Sequence, residues 1–467
     1  MTDIATLTAT DLLRLYRRRE LSPVDVARDV FARIERFEPQ INAFVLTDTE
    51  RALASARAAE DRWGKGEPRG LLDGVPTTVK DNVIAKDWPC GRGSLTGSAE
   101  PLKEDAPAVA RLREHGAVLL GKTTLPEFGW IGVCHSPLTS ITRNPWKLDR
   151  TPGGSSGGAA AAAALNLGPL HIGTDAAGSI RIPASFSGVF GHKPSFGRVP
   201  AWPASPFGML SHTGPITRTV TDAALMLSVL AEPDGRDMNA WNTAPPDFRV
   251  GLEDGVKGLR IAWSPRLGYI TKVDPEVLAA CEKAARSFAD LGAIVEEAEP
   301  GFPDAADDIL TLWLAVSATV VDGLSPAERE MLDPGFRRVA ELGRRYTLAE
   351  YIGAFNRRAE YANAMLRFHE RYDLLLTPQM ATPAIEAGLE APADGSYGDL
   401  WVEWSPYTYP FNLTQQPAAS VPCGLTSNGL PIGLQIVGPA RNDAIVLRAA
   451  RAYESAHPFA TISAPRA

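Results

Sequence analysis

The chain has little cysteine: four residues in 467, Cys90, Cys134, Cys281 and Cys423, widely scattered and with no Cys-x-x-Cys pair. That spacing supports neither a zinc site nor a disulfide framework, and free thiols suit a reducing compartment. An excess of positive charge is also missing. A net charge of −8 argues against a nucleic-acid partner, which needs a basic stripe, and against an anionic membrane surface. The most apolar stretch, Ala159 to Leu167, is far too short to span a bilayer. Met1-Thr2-Asp3-Ile4 opens no basic segment leading into an apolar run, so no signal peptide is expected and a cytoplasmic location is the default. His115, His135, His369 and His457 lack metal-ligand spacing, and no metal or cofactor is expected. Ser179, flanked two residues away by Ala177 and Arg181, lacks a Gly-x-Ser-x-Gly elbow, which argues against a Ser-His-Asp hydrolase of that type. His171 sits in an apolar run and reads as a core histidine. His192 and His212 read as structural or wall residues.

What is present is an ordinary apolar fraction, 45%, enough for a sizeable core. Residues 1–65 read as a helical flank. Thr8-Ala9-Thr10-Asp11 resembles a capping box, and Ser22-Pro23-Val24-Asp25 places an N-cap serine before a first-turn proline and acid. From about residue 70, short apolar runs (Val75 to Val79, Val118 to Gly121, Leu170 to Gly173) alternate with helical patterns. The stretch 258–295 reads as strand, helix, strand. This alternation predicts an α/β layered sheet. Residues 232–256 read as a surface crossing. The segment 301–400 is mostly helical, with Trp313, Leu314, Tyr346, Tyr351 and Phe355 among charged residues.

Three positions stand out chemically. Lys80 closes Leu72-Asp73-Gly74-Val75-Pro76-Thr77-Thr78-Val79-Lys80. Ser155 lies in Thr151-Pro152-Gly153-Gly154-Ser155-Ser156-Gly157-Gly158. Ser179 lies in Gly173-Thr174-Asp175-Ala176-Ala177-Gly178-Ser179-Ile180-Arg181. Two serines and a lysine can perform nucleophilic acyl chemistry without histidine or metal. A phosphate cradle at Gly153 to Gly158 is disfavoured, because no Lys-Ser or Lys-Thr follows in P-loop spacing. A lysine acting as base must be neutral. Its pKa must then fall by roughly three units from about 10.4, which burial beneath residues such as Val75 and Val79 would favour.

Together with Gly121 to Phe128, Arg143 to Trp146, Gly214 to Val220 and Gly429 to Gln435, these blocks resemble the amidase signature family along almost the whole chain. The resemblance implies one domain over residues 1–467, a large twisted mixed sheet flanked by helices. Its catalytic signature core would span 70–230, and 301–400 would build part of the substrate pocket. It also implies a Ser-cisSer-Lys triad. Ser179 is the nucleophile, Ser155 relays its proton to Lys80, and the Gly154–Ser155 peptide is cis. The backbone N–H groups of Ala176, Ala177, Gly178 and Ser179 form the oxyanion hole. Asp175 and Arg181 bracket the nucleophile as a buried ion pair holding the turn, Asp81 and Asn82 orient the lysine loop, and Ser156 hydrogen-bonds the surrounding loop.

Two positions depart from the family pattern. Ala177 stands where many members carry glycine, and its Cβ would narrow the oxyanion approach and resist positive φ. Gln415-Gln416 replaces a commoner Thr-Gly step. Aromatic density suggests a pocket of Trp130, Cys134, Trp401, Trp404, Tyr407 and Phe411. The expected activity is hydrolysis of a small or medium neutral amide by a monomer or homodimer. A carbamate (urethane) hydrolase, an esterase, and a glutamine-hydrolysing amidotransferase component that needs partners are the alternatives.

Overall fold

The computed structural model describes residues 4–466. Met1 to Asp3, on which the signal-peptide expectation partly rests, and Ala467 lie outside them. The predicted helix starts are present. Thr8 and Asp11 cap each other reciprocally at the head of helix Ala9–Arg18, and Ser22 Oγ accepts the Val24 N–H at 2.9 Å ahead of helix Pro23–Ile41. The flank is not purely helical. Asn42, with φ of 50°, ends the second helix, and Phe44–Thr47 then pairs antiparallel with Val118–Thr123 as an edge strand.

Among the described residues, eleven strands form one mixed sheet. Across it run Phe44–Thr47, Val118–Thr123, Pro76–Lys80, Leu170–Asp175, His212–Thr217 and Phe190–Lys193. Ala418–Leu425, Pro431–Val437, Leu374–Pro378, Arg260–Trp263 and Ile294–Glu297 complete it. Pairing is parallel from Val118–Thr123 through Leu170–Asp175 and among the last three strands, and antiparallel in the middle. The predicted strand–helix–strand unit is Arg260–Trp263, Pro275–Asp290 and Ile294–Glu297. The segment 301–400 contributes helices Ala306–Asp322, Pro334–Gly343 and Leu348–His369, then strand Leu374–Pro378. No helix among the described residues is long and apolar enough to cross a membrane.

The parallel strands Pro76–Lys80 and Leu170–Asp175 end side by side, and those ends carry the site. Above them, helix Gly157–Ala164 is buried on every side. It is composed only of glycine and alanine, and its glycines leave no room for a side chain. A Cβ on Gly157 would lie 2.4 Å from Cys134 Cβ, and one on Gly158 would lie 2.4 Å from both Ala43 O and Thr124 Oγ1. Close approach of this helix fixes the loop that precedes it, which holds Ser155. Gly158→Ala is therefore expected to cost about 1–3 kcal/mol through overpacking, read as a lowered urea midpoint at unchanged slope.

Candidate active site

Lys80 is the last residue of its strand and has no solvent exposure. Its Nζ lies 2.7 Å from Ser155 Oγ and 2.9 Å from Thr174 Oγ1, and Asn82 Nδ2 donates to the same threonine oxygen at 3.1 Å. No carboxylate lies within ion-pair distance of Lys80 among the described residues, in contrast to Lys122 on the neighbouring strand, which sits 3.3 Å from Asp81. Burial, with Cys134 and Asp175 only partly opposing it, drives the Lys80 pKa down to about 7. Thr174 was not singled out from the sequence, although it lies inside the Gly173-Thr174-Asp175 block. The signal available was that a neutral amine needs uncharged neighbours.

The Gly154–Ser155 peptide is cis. The following Ser156 stitches the loop to the sheet: its Oγ donates to Thr174 O at 3.1 Å and accepts the Thr174 N–H at 3.2 Å. Its own N–H donates to Ser179 O at 3.1 Å, so the two serine loops are joined directly. The ends of these loops are secured by the other matched stretches. Asn144 Nδ2 donates to Thr151 O and Phe186 O, and Trp146 Nε1 donates to Ser187 O.

The turn carrying Ser179 is organised by Asp175. Its Oδ1 accepts the Gly178 N–H at 2.7 Å and its Oδ2 accepts the Ile180 N–H at 3.1 Å. Arg181 pairs with this carboxylate at 3.0 Å, both side chains being fully buried. The arginine also donates to Gln435 Oε1 at 2.7 Å and to Asn412 Oδ1 at 2.6 Å, while Asn412 Nδ2 donates back to Asp175. Burial pushes the Asp175 pKa up, but Arg181 outweighs it and holds the carboxyl below the ordinary range. The Gly178 N–H, expected among the oxyanion donors, is thus already committed to Asp175. The N–H groups of Ala176, Ala177 and Ser179 make no hydrogen bond among the described residues. The backbone difficulty foreseen at Ala177 does not arise, because the positive φ of 124° falls on Gly178 and Ala177 keeps a negative one. At the other departure from the pattern, Gln415 itself takes a φ of 63°.

The histidines are held in structural roles. His212 Nδ1 bonds Leu210 O at 2.8 Å and Asp175 O at 3.1 Å, His192 Nε2 faces Asp443 at 3.2 Å, and His171 bridges Thr78 and Gly168. Burial lowers the pKa of all three, that of His171 to about 3. No group of three or more His, Cys, Asp or Glu able to hold a metal occurs among the described residues.

Ser155, Thr174, Ala176 and Ser179 open onto a cavity of about 230 Å³. Its aromatic wall is Phe128, Trp202, Phe207, Trp313 and Phe336, with Phe207 stacked on Trp313 at 4.0 Å between centroids. The expected pocket residues do not line it. Trp130, Cys134, Trp401, Trp404, Tyr407 and Phe411 are each at most 4% exposed and form the packing layer behind. Trp130 backs Phe336 and accepts the Trp313 Nε1–H on its carbonyl, Trp401 meets Trp313 edge-on, and Trp404 stacks on Phe186. Aromatic density marked the wall's support and missed its surface. Of the lining aromatics, Trp313 and Phe336 lie in the segment 301–400 and Phe128 in a matched stretch.

An α/β enzyme with a buried lysine–serine pair opening onto an aromatic cavity is the class that this fold and site define. Residues 25–447 match the Amidase family. The chain belongs to that family, whose members act on C–N bonds. It is 37% identical to an acylamidase of Rhodococcus erythropolis over 460 residues, covering 97% of this chain and 96% of the relative. It is 36% identical to a glutamyl-tRNA(Gln) amidotransferase component of Myxococcus xanthus, covering 98% and 99%. Among solved structures it is similar to a bacterial aryl acylamidase of the amidase signature family, with a TM-score of 0.90, 31% identity and coverage of 97% and 96%.

Removing one partner of a buried ion pair leaves the other charge uncompensated, so Arg181→Met is expected to destabilise the protein by about 3–5 kcal/mol. Chemical denaturation followed by tryptophan fluorescence measures this, and a loss under about 1 kcal/mol would contradict the assigned role of the pair.

Proposed function

We propose that the protein is a serine amidase that cleaves small or medium amides through an acyl-enzyme on Ser179. The observation that carries this reading is a fully buried lysine, unpaired with any carboxylate and 2.7 Å from Ser155 Oγ, in a cavity that Ser179 shares. The neutral Lys80 amine takes the Ser155 hydroxyl proton while Ser155 takes that of Ser179, and the Ser179 oxygen adds to the amide carbon. The free N–H groups of Ala176, Ala177 and Ser179 are placed to receive the developing oxyanion. The Lys80 ammonium returns its proton through Ser155 to the departing nitrogen, the C–N bond breaks, and water releases the acid by the reverse relay. The aromatic wall suits aryl or aliphatic groups. Carbamates and esters pass through a similar tetrahedral intermediate and are the nearest alternative substrates.

The likeness to amidotransferase components supports a second reading, glutamine hydrolysis within a multi-chain assembly. The cavity favours the first. No carboxylate lines it, so the ammonium of a free amino acid would have no counter-ion there. Glutaminase assays with and without candidate partner proteins separate the two.

Ser179→Ala is expected to reduce kcat by at least about a thousandfold, and a sulfonyl fluoride is expected to label Ser179, located by peptide mass. Because the base works only when neutral, kcat/KM should rise with pH through about 7 and then level. A flat profile between about pH 5 and about pH 9 would remove Lys80 from the base role.

A further inference from the structure

The cavity wall is neutral except at one place. Of all the residues lining it, only Arg92 carries a formal charge. Arg92 is exposed, so it stands at the rim, and its guanidinium makes no ion pair or hydrogen bond among the described residues. Its position is nevertheless fixed. Cys90 Sγ donates to Asp81 O at 3.0 Å, and Arg92 O accepts the Phe128 N–H at 2.7 Å. The turn is thereby attached on one side to the residue after Lys80 and on the other to the aromatic wall, where Phe128 meets Phe336 at 5.5 Å. Arg92 has a φ of 55° and Gly93 one of 69°. This left-handed conformation favours glycine or asparagine, so an arginine here is held against its backbone preference. Such a position suits a side chain whose task is outside the fold.

We propose that Arg92 is a specificity-determining residue that receives a carboxylate at the far end of the substrate, so that the preferred substrates are amides whose apolar body ends in an anion. This rests on the amidase reading above. The planar guanidinium fork matches a carboxylate in two parallel hydrogen bonds, and no part of that fork is used by the protein. The rest of the wall supplies aromatic and small neutral surface for the body of the molecule. With no acid on the wall, a substrate carrying a free ammonium beside its carboxylate gains nothing in return for desolvating that ammonium. The arginine lies outside the proton relay, and its effect is on binding of the distal group.

The test compares shape-matched substrate pairs in the full-length protein. Para-acetamidobenzoate against para-nitroacetanilide places the anion on the amine side, and succinanilate against 4-methylpentananilide places it on the acyl side. In at least one pair, the kcat/KM preference for the carboxylate member is expected to fall about fivefold in Arg92→Gln, mainly through KM, and to be partly retained in Arg92→Lys. The wild-type preference should also shrink as salt is raised, since the pair is solvent-exposed. A preference in Arg92→Gln equal to wild type in both pairs would overturn the proposal. Failure of the wild-type protein to hydrolyse any of the four would fall on the amidase reading itself.

Discussion

The site depends on keeping one amine out of water without giving it a counter-ion. One strand away the arrangement is the opposite, with the buried Lys122 amine 3.3 Å from the Asp81 carboxylate. Lys80 is met instead by the neutral hydroxyls of Ser155 and Thr174, the latter held in turn by Asn82, and none of these groups brings it a counter-charge. Asp175 lies close enough to pull the other way, but its charge is met by Arg181 and shared with Asn412. The ion pair thus does two jobs: it shapes the Ser179 turn and screens the lysine from the one nearby anion.

Geometry at this depth demands small residues. Helix Gly157–Ala164 and the turn at Gly178 approach other atoms so closely that a single added carbon would collide. The same closeness explains why the matched blocks are rich in glycine and alanine. Their composition records a packing constraint on the loops that hold Ser155 and Ser179 as much as any chemistry.

Much of this was legible in the sequence. The alternation of apolar runs with helical patterns pointed to the layered sheet, and the cap residues at Thr8 and Ser22 marked two helix starts, because both signals are local. Lys80, Ser155 and Ser179 stood out because each lies in a short, dense block. The cavity wall was not legible. Phe128, Trp202, Phe207, Trp313 and Phe336 come from distant parts of the chain, and only folding decides which aromatic faces the space and which packs behind it. The edge strand Phe44–Thr47 was missed because four residues carry too short a pattern. The commitment of the Gly178 N–H was missed because it depends on where one carboxylate points.

The outermost strand, Ile294–Glu297, has a further consequence. It pairs on one side only, with Arg260–Trp263, so its other margin offers unpaired backbone groups to any passing chain. Ile294 is half exposed there, which by itself would invite sheet-to-sheet joining between molecules. After Val295 come Glu296, which faces Arg260 at 3.6 Å, and the exposed Glu297, so bringing two such margins together would bring the Glu297 carboxylates near one another. Charge on an open sheet margin of this kind disfavours edge-to-edge joining.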